Sequence, residues 1–376
     1  MTEQFPPEII YTILSRLPIK SLARFRCVCK SWLNYINDRS LPSSHSCPRK
    51  THANHVPKIS VFNHMKQCAL SFLRLVQGTT TVRKNPVLDF CFTGPCHKTL
   101  VLGSCNGLTL ACYKKRFDDI FLKLIDPIRK ECYNLPPIKI SPHMSMLSRH
   151  EAAGIGFDDS TNTIKTVFVI LKQPLLSLQY IKPQLCTMVH YSRSSSWREI
   201  AQIPAYPISG EGVFAHGRLH WLASRHKFWS YKDGRKIVWF DVKLEKFGLT
   251  DTPKLKGGGR DVNYDQLVDL NGEVGIAYRC NDVHIKLWIL KPEGWVLRCW
   301  FDLDLLPDYV LVSGCLNKDG DILLASSRGD RLFVYTQKSC NLRQVDWDDG
   351  CLANIRMYRS SFFSIHTSAG SIKNKI

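Results

Sequence analysis

Hydrophobic residues near the start of the chain recur with the period of an α-helix. On a helical projection of residues 7–17, the apolar side chains share an arc of about 140°. They are Ile9, Ile10, Ile13, Leu14 and Leu17. Pro6 and Pro7 suit a helix start, because the first turn makes no use of the N–H groups that proline lacks. Pro18 ends the helix, since the residue before a proline is pushed out of helical geometry.

A second apolar arc follows, and together the two arcs predict two or three short helices over residues 6–38. The members of the second arc are Leu22, Phe25, Val28, Cys29, Trp32, Leu33 and Ile36. A segment of about 35 residues cannot bury this much apolar surface by itself. It therefore packs either on the domain that follows or on the helices of another protein, and the periodicity leaves both possibilities open.

After a Ser- and Pro-rich stretch, the apolar period changes from that of a helix to the alternation of β-strands. Gly, Asn, Asp or Pro separate many of the short apolar runs. The runs are Ile59–Phe62, Leu100–Leu102, Leu108–Cys112, Ile120–Ile125, Thr166–Leu171, Arg218–Leu222, Ile237–Phe240, Ile285–Leu290, Leu332–Tyr335 and Phe362–Ile365. This part of the chain is predicted to be all-β.

Two kinds of hairpin alternate in the β region. The first contains a tight turn with glycine, as in "SCNGLTLAC", "FAHGRLHWLA", "DLNGEVGIAY" and "CLNKDGDILLA". The second joins an apolar strand to an aromatic-bearing strand across a polar turn, as in "KIVWFDVKLEKFGLTDTP". Two hairpins in about 45–50 residues give four strands per repeat, which is the unit of a β-propeller blade. We expect about six or seven blades on this spacing.

The net charge of +19 over 376 residues is the unusual feature of the composition. A strongly basic balance can indicate nucleic acid or an acidic partner. The basic residues lie in separate spots near 114–116, 225–236, 254–260 and 373–375. None of these spots is a dense basic stripe with interleaved aromatics, so solvated surface charge is favoured over a nucleic-acid-binding role, which stays open as an alternative.

The 15 cysteines are odd in number and have no repeated spacing. Most lie in apolar strings, which is typical of reduced thiols in an intracellular protein rather than of a disulfide framework. We therefore expect a cytoplasmic and/or nuclear location. The sequence contains no run of about 18 apolar residues and no secretory signal pattern at the start, so no membrane span is expected.

Catalytic, metal and cofactor motifs give only weak signals, so we predict no enzyme, no metal and no cofactor. The β region has no GxSxG motif and no phosphate-binding loop. The Cys91-x4-Cys96-His97 cluster lacks the second ligand pair of a zinc site. Cys27 and Cys29 would lie about 200° apart on a helix and could not easily share a metal. His216 and His220 precede Trp221 in the same predicted hairpin, and we interpret them as hairpin and core residues.

The opening stretch "FPPEIIYTILSRLPIKSLARFRCVCKSWLNYI" resembles an F-box in the form common in plant proteins. The motif-bearing residues are Leu17-Pro18, Ser21-Leu22 and Val28-Cys29-Lys30-Ser31-Trp32. Phe5-Pro6 stands where the family usually has its first Leu-Pro. Because Phe is also apolar, we expect it to keep the apolar contact that Leu makes at this position.

This resemblance implies binding to the Skp-type adaptor of a cullin-RING ubiquitin ligase. The residues predicted to form or support that interface are Pro6, Ile9, Ile13, Leu14, Leu17, Pro18, Leu22, Val28, Cys29 and Trp32. Some of them, Trp32 in particular, would together with Phe25 instead hold the small helices together.

The β region resembles the F-box-associated domain of plant proteins, a propeller-like domain related to kelch. The motifs "GSCNGL", "GFDDSTNTIK" and "SSSWREI" occur in the order that this family has. The stretch "IKLWILKPEGW" departs from the usual family ending. The paired-glycine strands of kelch repeats are missing, so the domain is predicted to be propeller-like without being kelch.

The predicted fold is therefore α+β and multidomain: a small N-terminal helical F-box followed by a large all-β, propeller-like domain. The expected boundaries are 1–40 for the F-box, 41–56 for a linker, 57–367 for the β domain and 368–376 for a basic tail.

The resemblance implies the substrate-recognition subunit of an SCF-type (Skp-cullin-F-box) ubiquitin ligase, with an acidic or phosphorylated target. The alternatives are a ligase-independent protein-binding scaffold and a basic nucleic-acid-binding propeller. An enzymatic propeller is the poorest alternative.

Overall fold

A computed structural model gives the fold of the chain. It describes residues 6–17, 19–37, 58–63, 69–74, 88–91, 98–114, 120–127, 129–138, 152–171, 185–192, 194–224, 235–254, 265–280, 284–302, 310–316, 320–326, 331–345, 352–358 and 373–375. The predicted linker and the apolar run Phe362–Ile365 lie outside the described residues.

Three short helices form the N-terminal segment, as predicted. They are α1 (Pro7–Arg16), α2 (Ile19–Phe25) and α3 (Lys30–Asn37). The second apolar arc does not belong to one continuous helix, because a turn over residues 26–29 separates α2 from α3. Val28 and Cys29 therefore lie in this turn, which a helical projection cannot represent.

The described strands form six sheets of four or five strands. The first three sheets contain the following strands.

The first sheet has β1 (Lys58–Asn63), β2 (Ala69–Arg74), β3 (Leu88–Cys91) and β25 (Leu352–Tyr358). The second has β4 (Lys98–Cys105), β5 (Leu108–Lys114), β6 (Ile120–Asp126), β7 (Glu131–Asn134) and β26 (Lys373–Lys375). The third has β8 (Ala152–Asp158), β9 (Thr163–Leu171), β10 (Leu185–Tyr191), β11 (Arg198–Ile200) and β12 (Gly210–Glu211).

The other three sheets each have four strands in sequence order. The fourth has β13 (Val213–Ala215), β14 (Arg218–Leu222), β15 (Lys236–Asp241) and β16 (Lys246–Asp251). The fifth has β17 (Asp265–Asp269), β18 (Val274–Cys280), β19 (His284–Lys291) and β20 (Gly294–Asp302). The sixth has β21 (Val310–Cys315), β22 (Ile322–Ser326), β23 (Leu332–Thr336) and β24 (Asn341–Val345).

The six sheets are the blades of a propeller, because one strand of each sheet contacts the corresponding strand of the next. The contacts run β25–β4–β8–β13–β17–β21 and return to β25. The ring closes within the first sheet, where β1 pairs antiparallel with β25 from Lys58 opposite Tyr358 to Asn63 opposite Leu352. One sheet is thus built from both ends of the β domain.

The predicted hairpins are confirmed, and their tight turns have the expected chemistry. Both central residues of three turns have positive φ, in Asn106-Gly107, His216-Gly217 and Asn271-Gly272. This is the type I′ geometry that matches the twist of a two-residue hairpin. The predicted runs Ile59–Phe62 and Ile237–Phe240 lie within β1 and β15.

Apolar side chains fill the spaces between neighbouring blades. One buried cluster spans the second, third and fourth sheets, and another spans the fifth and sixth. Trp221 is fully buried in the first of these clusters, and its indole N–H donates to the carbonyl oxygen of Ala153 at 3.1 Å. The tryptophan of a predicted hairpin therefore packs between blades.

A buried ion network joins the third and fourth blades. The Lys165 ammonium lies 3.1 Å from an oxygen of Asp158 and 3.1 Å from an oxygen of Glu245. It also donates to the carbonyl oxygen of Val242 at 2.7 Å. Arg198 approaches the second oxygen of Glu245 to 2.5 Å from a half-exposed position. Because β8 and β9 carry Asp158 and Lys165 while Glu245 precedes β16, this network ties the blades together.

Replacing Lys165 should destabilise the propeller strongly. Lys165→Met leaves the buried Asp158 carboxylate without its cation, and breaking a buried pair in this way costs about 3–5 kcal/mol. Arg198→Met is the matched control, because half of that side chain is exposed and its loss should cost less than about 1 kcal/mol. Urea unfolding monitored by tryptophan fluorescence measures both variants, and equal losses would contradict an interblade role for Lys165.

The same network predicts loss of stability in acid. Burial alone would raise the pKa of the Asp158 carboxyl, but hydrogen bonds from Ser160 and Lys165 outweigh it and hold the pKa below its usual value. The pKa of Glu245 is also lowered, since hydrogen bonds from Tyr191, Arg198 and Lys165 outweigh its burial.

A lowered carboxyl pKa contributes stability above the ordinary carboxyl range, and this contribution is lost as the pH falls through the folded-state pKa. The urea midpoint of the wild-type chain should therefore fall more steeply below about pH 5 than that of Lys165→Met. Parallel pH profiles would exclude the network as a source of this dependence.

Candidate functional site

The local sequence determines where α1 begins and ends. Pro6 stands before the helix with φ −53° and ψ 142°, and the Ile9 N–H donates to its carbonyl oxygen at 3.0 Å. Leu17 ends the helix in an extended conformation with φ −80° and ψ 146°, as expected of a residue that precedes proline. The boundaries agree with the sequence prediction.

The three helices have a small apolar core of their own. Leu14, Leu22 and Ile36 are fully buried in it. Two aromatic contacts brace this core: the rings of Tyr11 and Tyr35 are 5.1 Å apart, and those of Phe25 and Trp32 are 5.3 Å apart, both edge to face. The expectation that Phe25 and Trp32 hold the helices together agrees with this geometry.

Three large apolar side chains of the same segment face outward. Ile9 is 46% exposed, Ile13 is 48% exposed and Val28 is 59% exposed. Ile9 and Ile13 are one helical turn apart, so they lie on one face of α1. Exposed apolar side chains concentrated in so short a segment are typical of a surface that another protein covers.

The ten residues predicted to form or support the adaptor interface therefore divide by exposure. The exposed members are Pro6, Ile9, Ile13, Val28 and Cys29; the half-buried members are Leu17 and Trp32; the buried members are Leu14 and Leu22. Pro18 lies outside the described residues. Leu14 and Leu22 can support the interface only by holding the helices in place.

The turn between α2 and α3 exposes both Cys27 and Cys29. Since neither residue is helical, the predicted angle of about 200° between them on a helix does not apply. The Trp32 N–H donates to the sulfur of Cys29 at 3.4 Å, so this thiol lies at the start of α3.

The histidines and tryptophans of the propeller hairpins have structural positions. His220 is buried, with Nδ1 3.2 Å from the carbonyl oxygen of Val213, and burial lowers its pKa to about 4. His216 stands in the turn before it. The indole N–H of Trp197 donates to the Pro136 carbonyl oxygen at 2.7 Å, and that of Trp295 donates to the Asp251 carbonyl oxygen at 2.7 Å.

The described residues contain no group of three or more His, Cys, Asp and Glu side chains that could hold a metal. Cys96 and His97 of the predicted Cys91-x4-Cys96-His97 cluster lie outside the described part. Two buried thiols are poor candidates for reactive cysteines, because burial raises the pKa of Cys132 to about 11 and that of Cys299 to about 12. Within its described part, the chain has no helix that is long and apolar enough to cross a membrane.

Further exposed apolar side chains lie on outer strands of the propeller and in the turn before β16, and the sequence analysis did not single them out. They are Leu244, Leu249, Val296, Leu297 and Trp300. The last three belong to β20, the outermost described strand of the fifth blade. Strand alternation alone does not reveal such residues, because both faces of an outer strand reach solvent.

Comparison with known proteins identifies both parts of the chain. A family model described as F-box associated beta propeller domain matches residues 59–366, and the F-box domain model matches residues 3–44. The chain belongs to the F-box-associated propeller family. The F-box match starts before the described helices and covers all three of them. The predicted fold, an N-terminal F-box followed by a propeller, is thereby confirmed.

Curated relatives carry the same architecture. An F-box protein of Arabidopsis thaliana is 27% identical over 317 residues, which are 79% of this chain and 71% of the relative. An F-box/kelch-repeat protein of the same plant is 25% identical over 321 residues, which are 80% of this chain and 79% of the relative. F-box proteins with such propellers are in general non-catalytic substrate receptors of SCF-type ligases, and F-box domains in general bind a Skp-type adaptor.

Leu14 and Ile13 are adjacent in α1 but should respond very differently to truncation. Leu14→Ala opens a cavity in the helical core and should lower the free energy of unfolding of the helices by about 2–5 kcal/mol. Ile13→Ala changes a half-exposed side chain and should lower it by about 0.5 kcal/mol or less. Hydrogen exchange of the backbone amides of residues 7–37 measures the difference. Equal loosening by both variants would contradict the assignment of Leu14 to the core and of Ile13 to the surface.

Proposed function

We propose that this chain is the substrate-recognition subunit of an SCF-type E3 ubiquitin ligase. Its F-box binds a Skp-type adaptor, and its propeller binds a target protein. The observation that carries this proposal is the division within the F-box: Leu14, Leu22 and Ile36 complete an internal core, while Ile9, Ile13 and Val28 remain exposed. The helices therefore present apolar surface that their own core does not use.

The adaptor surface is centred on the outward face of α1 and on the turn after α2. Ile9 and Ile13 supply the face of α1, and Val28 supplies the turn. Pro6, Leu17 and Cys29 flank these residues in sequence. Burying the apolar parts of this surface against the adaptor would stabilise the complex by about 25 cal/mol for each Å² removed from water. Cofactors have no part in this function.

The mechanism is proximity. This chain binds the target, and the adaptor links the chain to the cullin and RING subunits. A ubiquitin-loaded partner enzyme of the ligase does the chemistry of ubiquitin transfer. Two binding surfaces on one chain raise the effective concentration of target lysines near the ubiquitin-loaded enzyme. Such a receptor contributes no catalytic residue. The cytoplasm and/or the nucleus is the proposed location.

The target that we propose is acidic or phosphorylated. The chain is strongly basic, with a net charge of +19. In sequence, Arg225 and Lys227 stand between β14 and β15, and Lys254 and Lys256 follow β16. Arg and Lys side chains pair with carboxylates and phosphates through charge-assisted hydrogen bonds. Target binding that ignores both salt and dephosphorylation would exclude this class of target.

The adaptor surface predicts which substitutions abolish the complex. Ile13→Asp and Val28→Asp each place a charge in the surface to be buried, so each should weaken binding of a purified Skp-type adaptor by at least about 100-fold. Asn34→Asp is the matched control: it adds the same charge at an exposed position of α3 and should change the dissociation constant by less than about threefold. Isothermal titration calorimetry of the full chain measures all three.

Circular dichroism and urea unfolding must show that the variants remain folded. If the wild-type chain does not bind the adaptor, or if Ile13→Asp and Val28→Asp bind as well as Asn34→Asp, the F-box does not dock in this way. The ligase-independent scaffold would then replace the ligase receptor as the proposed function.

A further inference from the structure

Positive charge is concentrated in the F-box, near the turn between α2 and α3. Residues 9–37 contain five Arg or Lys residues and no Asp or Glu, whereas the whole chain has 51 basic and 32 acidic residues. The five cations are Arg16, Lys20, Arg24, Arg26 and Lys30. The last three fall within seven consecutive residues that include the turn. The charge of this segment therefore exceeds what the average composition of a basic chain gives.

The three cations at the turn have no acidic partner inside the F-box. Arg24 and Lys30 are exposed, and Arg26 is half-buried. Glu8 is the only acidic residue in residues 6–37, and it stands in the first turn of α1. Within the described part of the chain, none of the three cationic side chains makes an ion pair or a hydrogen bond. A carboxylate that approaches the turn therefore meets charge that is not already neutralised.

Arg26 has a second feature that favours an acceptor from outside the chain. Its Nε atom is buried and has no hydrogen-bond acceptor in the described part of the chain, and a buried donor without an acceptor is unfavourable. A side-chain conformer that directs the guanidinium to a carboxylate of a partner would lose no hydrogen bond of the free protein. Guanidinium and carboxylate groups match in shape and form two parallel hydrogen bonds.

The cations border the apolar surface that the F-box leaves exposed. Val28 is 59% exposed and lies between Arg26 and Lys30 in sequence. Its N–H donates to the carbonyl oxygen of Phe25 at 3.1 Å, so main-chain hydrogen bonding keeps this turn compact. An apolar centre with a polar rim is the usual arrangement of a protein–protein interface. The turn therefore has both parts of such an interface within a few residues.

We propose that Arg24, Arg26 and Lys30 form a cationic rim of the adaptor surface, and that the region of the adaptor which meets this rim is acidic. The inference rests on the proposed ligase function and specifies the chemistry of the partner: carboxylates beside an apolar site for Val28. Arg24 and Lys30 attract the adaptor before contact, and Arg26 pairs with a carboxylate inside the complex. Rim charges act mainly on the association rate, whereas a charge pair that becomes buried acts on the dissociation rate.

Stopped-flow kinetics of the full chain with a purified Skp-type adaptor test the rim. Removing both exposed cations in the double variant Arg24→Gln/Lys30→Gln should slow association at least about five-fold at low salt and change dissociation less than about twofold. The matched control is Lys243→Gln/Lys246→Gln, which removes the same charge from exposed positions of the fourth blade. It should change both rates less than about twofold, because these positions lie outside the adaptor surface.

Two further measurements separate the roles of the cations. Raising the NaCl concentration from about 50 to about 500 mM should slow association of the wild-type chain at least about ten-fold, and that of the double variant by a smaller factor. Arg26→Gln should speed dissociation at least about ten-fold. Hydrogen exchange of residues 7–37 must match the wild type in each variant. The salt dependence of the wild-type chain tests the proposal without any substitution.

The outcomes distinguish this inference from the ligase function on which it rests. If the wild-type chain binds the adaptor at a rate that ignores salt, or if the double variant behaves like the fourth-blade control, the cationic rim is overturned and the receptor function stands. Dissociation of Arg26→Gln at the wild-type rate would overturn the charge pair of Arg26. A wild-type chain that binds no adaptor at any salt concentration would overturn both the rim and the receptor function.

Discussion

Closure of the ring by β1 and β25 is the interaction on which the rest of the propeller depends. These strands come from opposite ends of the β domain and pair over Lys58–Asn63 and Leu352–Tyr358. Without this pairing, the first blade would lack its inner strand, and β1 would present an open strand edge, which is liable to aggregate. Tyr358 anchors the closing strand: it is fully buried, and its hydroxyl donates to the Gly107 carbonyl oxygen of the second blade at 2.8 Å.

The closed ring and the F-box differ in how completely they bury their apolar side chains. The ring buries its apolar residues between blades and reinforces the boundaries with polar contacts. An example is Gln266, whose amide exchanges two hydrogen bonds with the main chain of Val312 in the next blade, at 3.0 and 3.1 Å. The three helices have too few residues to bury all their apolar side chains. They complete a core around Leu14 and leave Ile9 and Ile13 exposed, and the proposed docking on an adaptor would bury these two side chains.

Local sequence patterns predicted the short-range structure well. The positive-φ turns appear as Gly-containing pairs such as Asn106-Gly107, and the end of α1 appears as Leu17-Pro18, because both depend on the conformational preferences of one or two residues. Long-range contacts have no comparable local signal. Three such contacts join residues that are distant in sequence. They are the pairing of β1 with β25, the contact of Lys165 with Glu245 and the pairing of the C-terminal strand β26 with β7.

The candidate site was predicted as a set of residues, but its exposed and buried members could not be separated. Ile9, Ile13 and Leu14 fall in one apolar arc, and only packing against α3 determines that Leu14 turns inward. The turn at residues 26–29 could not be predicted for a similar reason. The apolar arc through Val28 continues as if α2 and α3 were one helix, so the periodicity does not indicate the break between them. Periodicity identifies apolar surface, whereas the choice of which part remains exposed depends on the tertiary contacts.

Hydrogen–deuterium exchange of the full chain, with and without a purified Skp-type adaptor, tests most directly whether the exposed apolar surface of the F-box is the docking surface. The account predicts that the adaptor slows exchange in α1 and in residues 26–29, and that exchange in the propeller blades stays unchanged. Protection confined to the blades, or no protection anywhere in the chain, would contradict it.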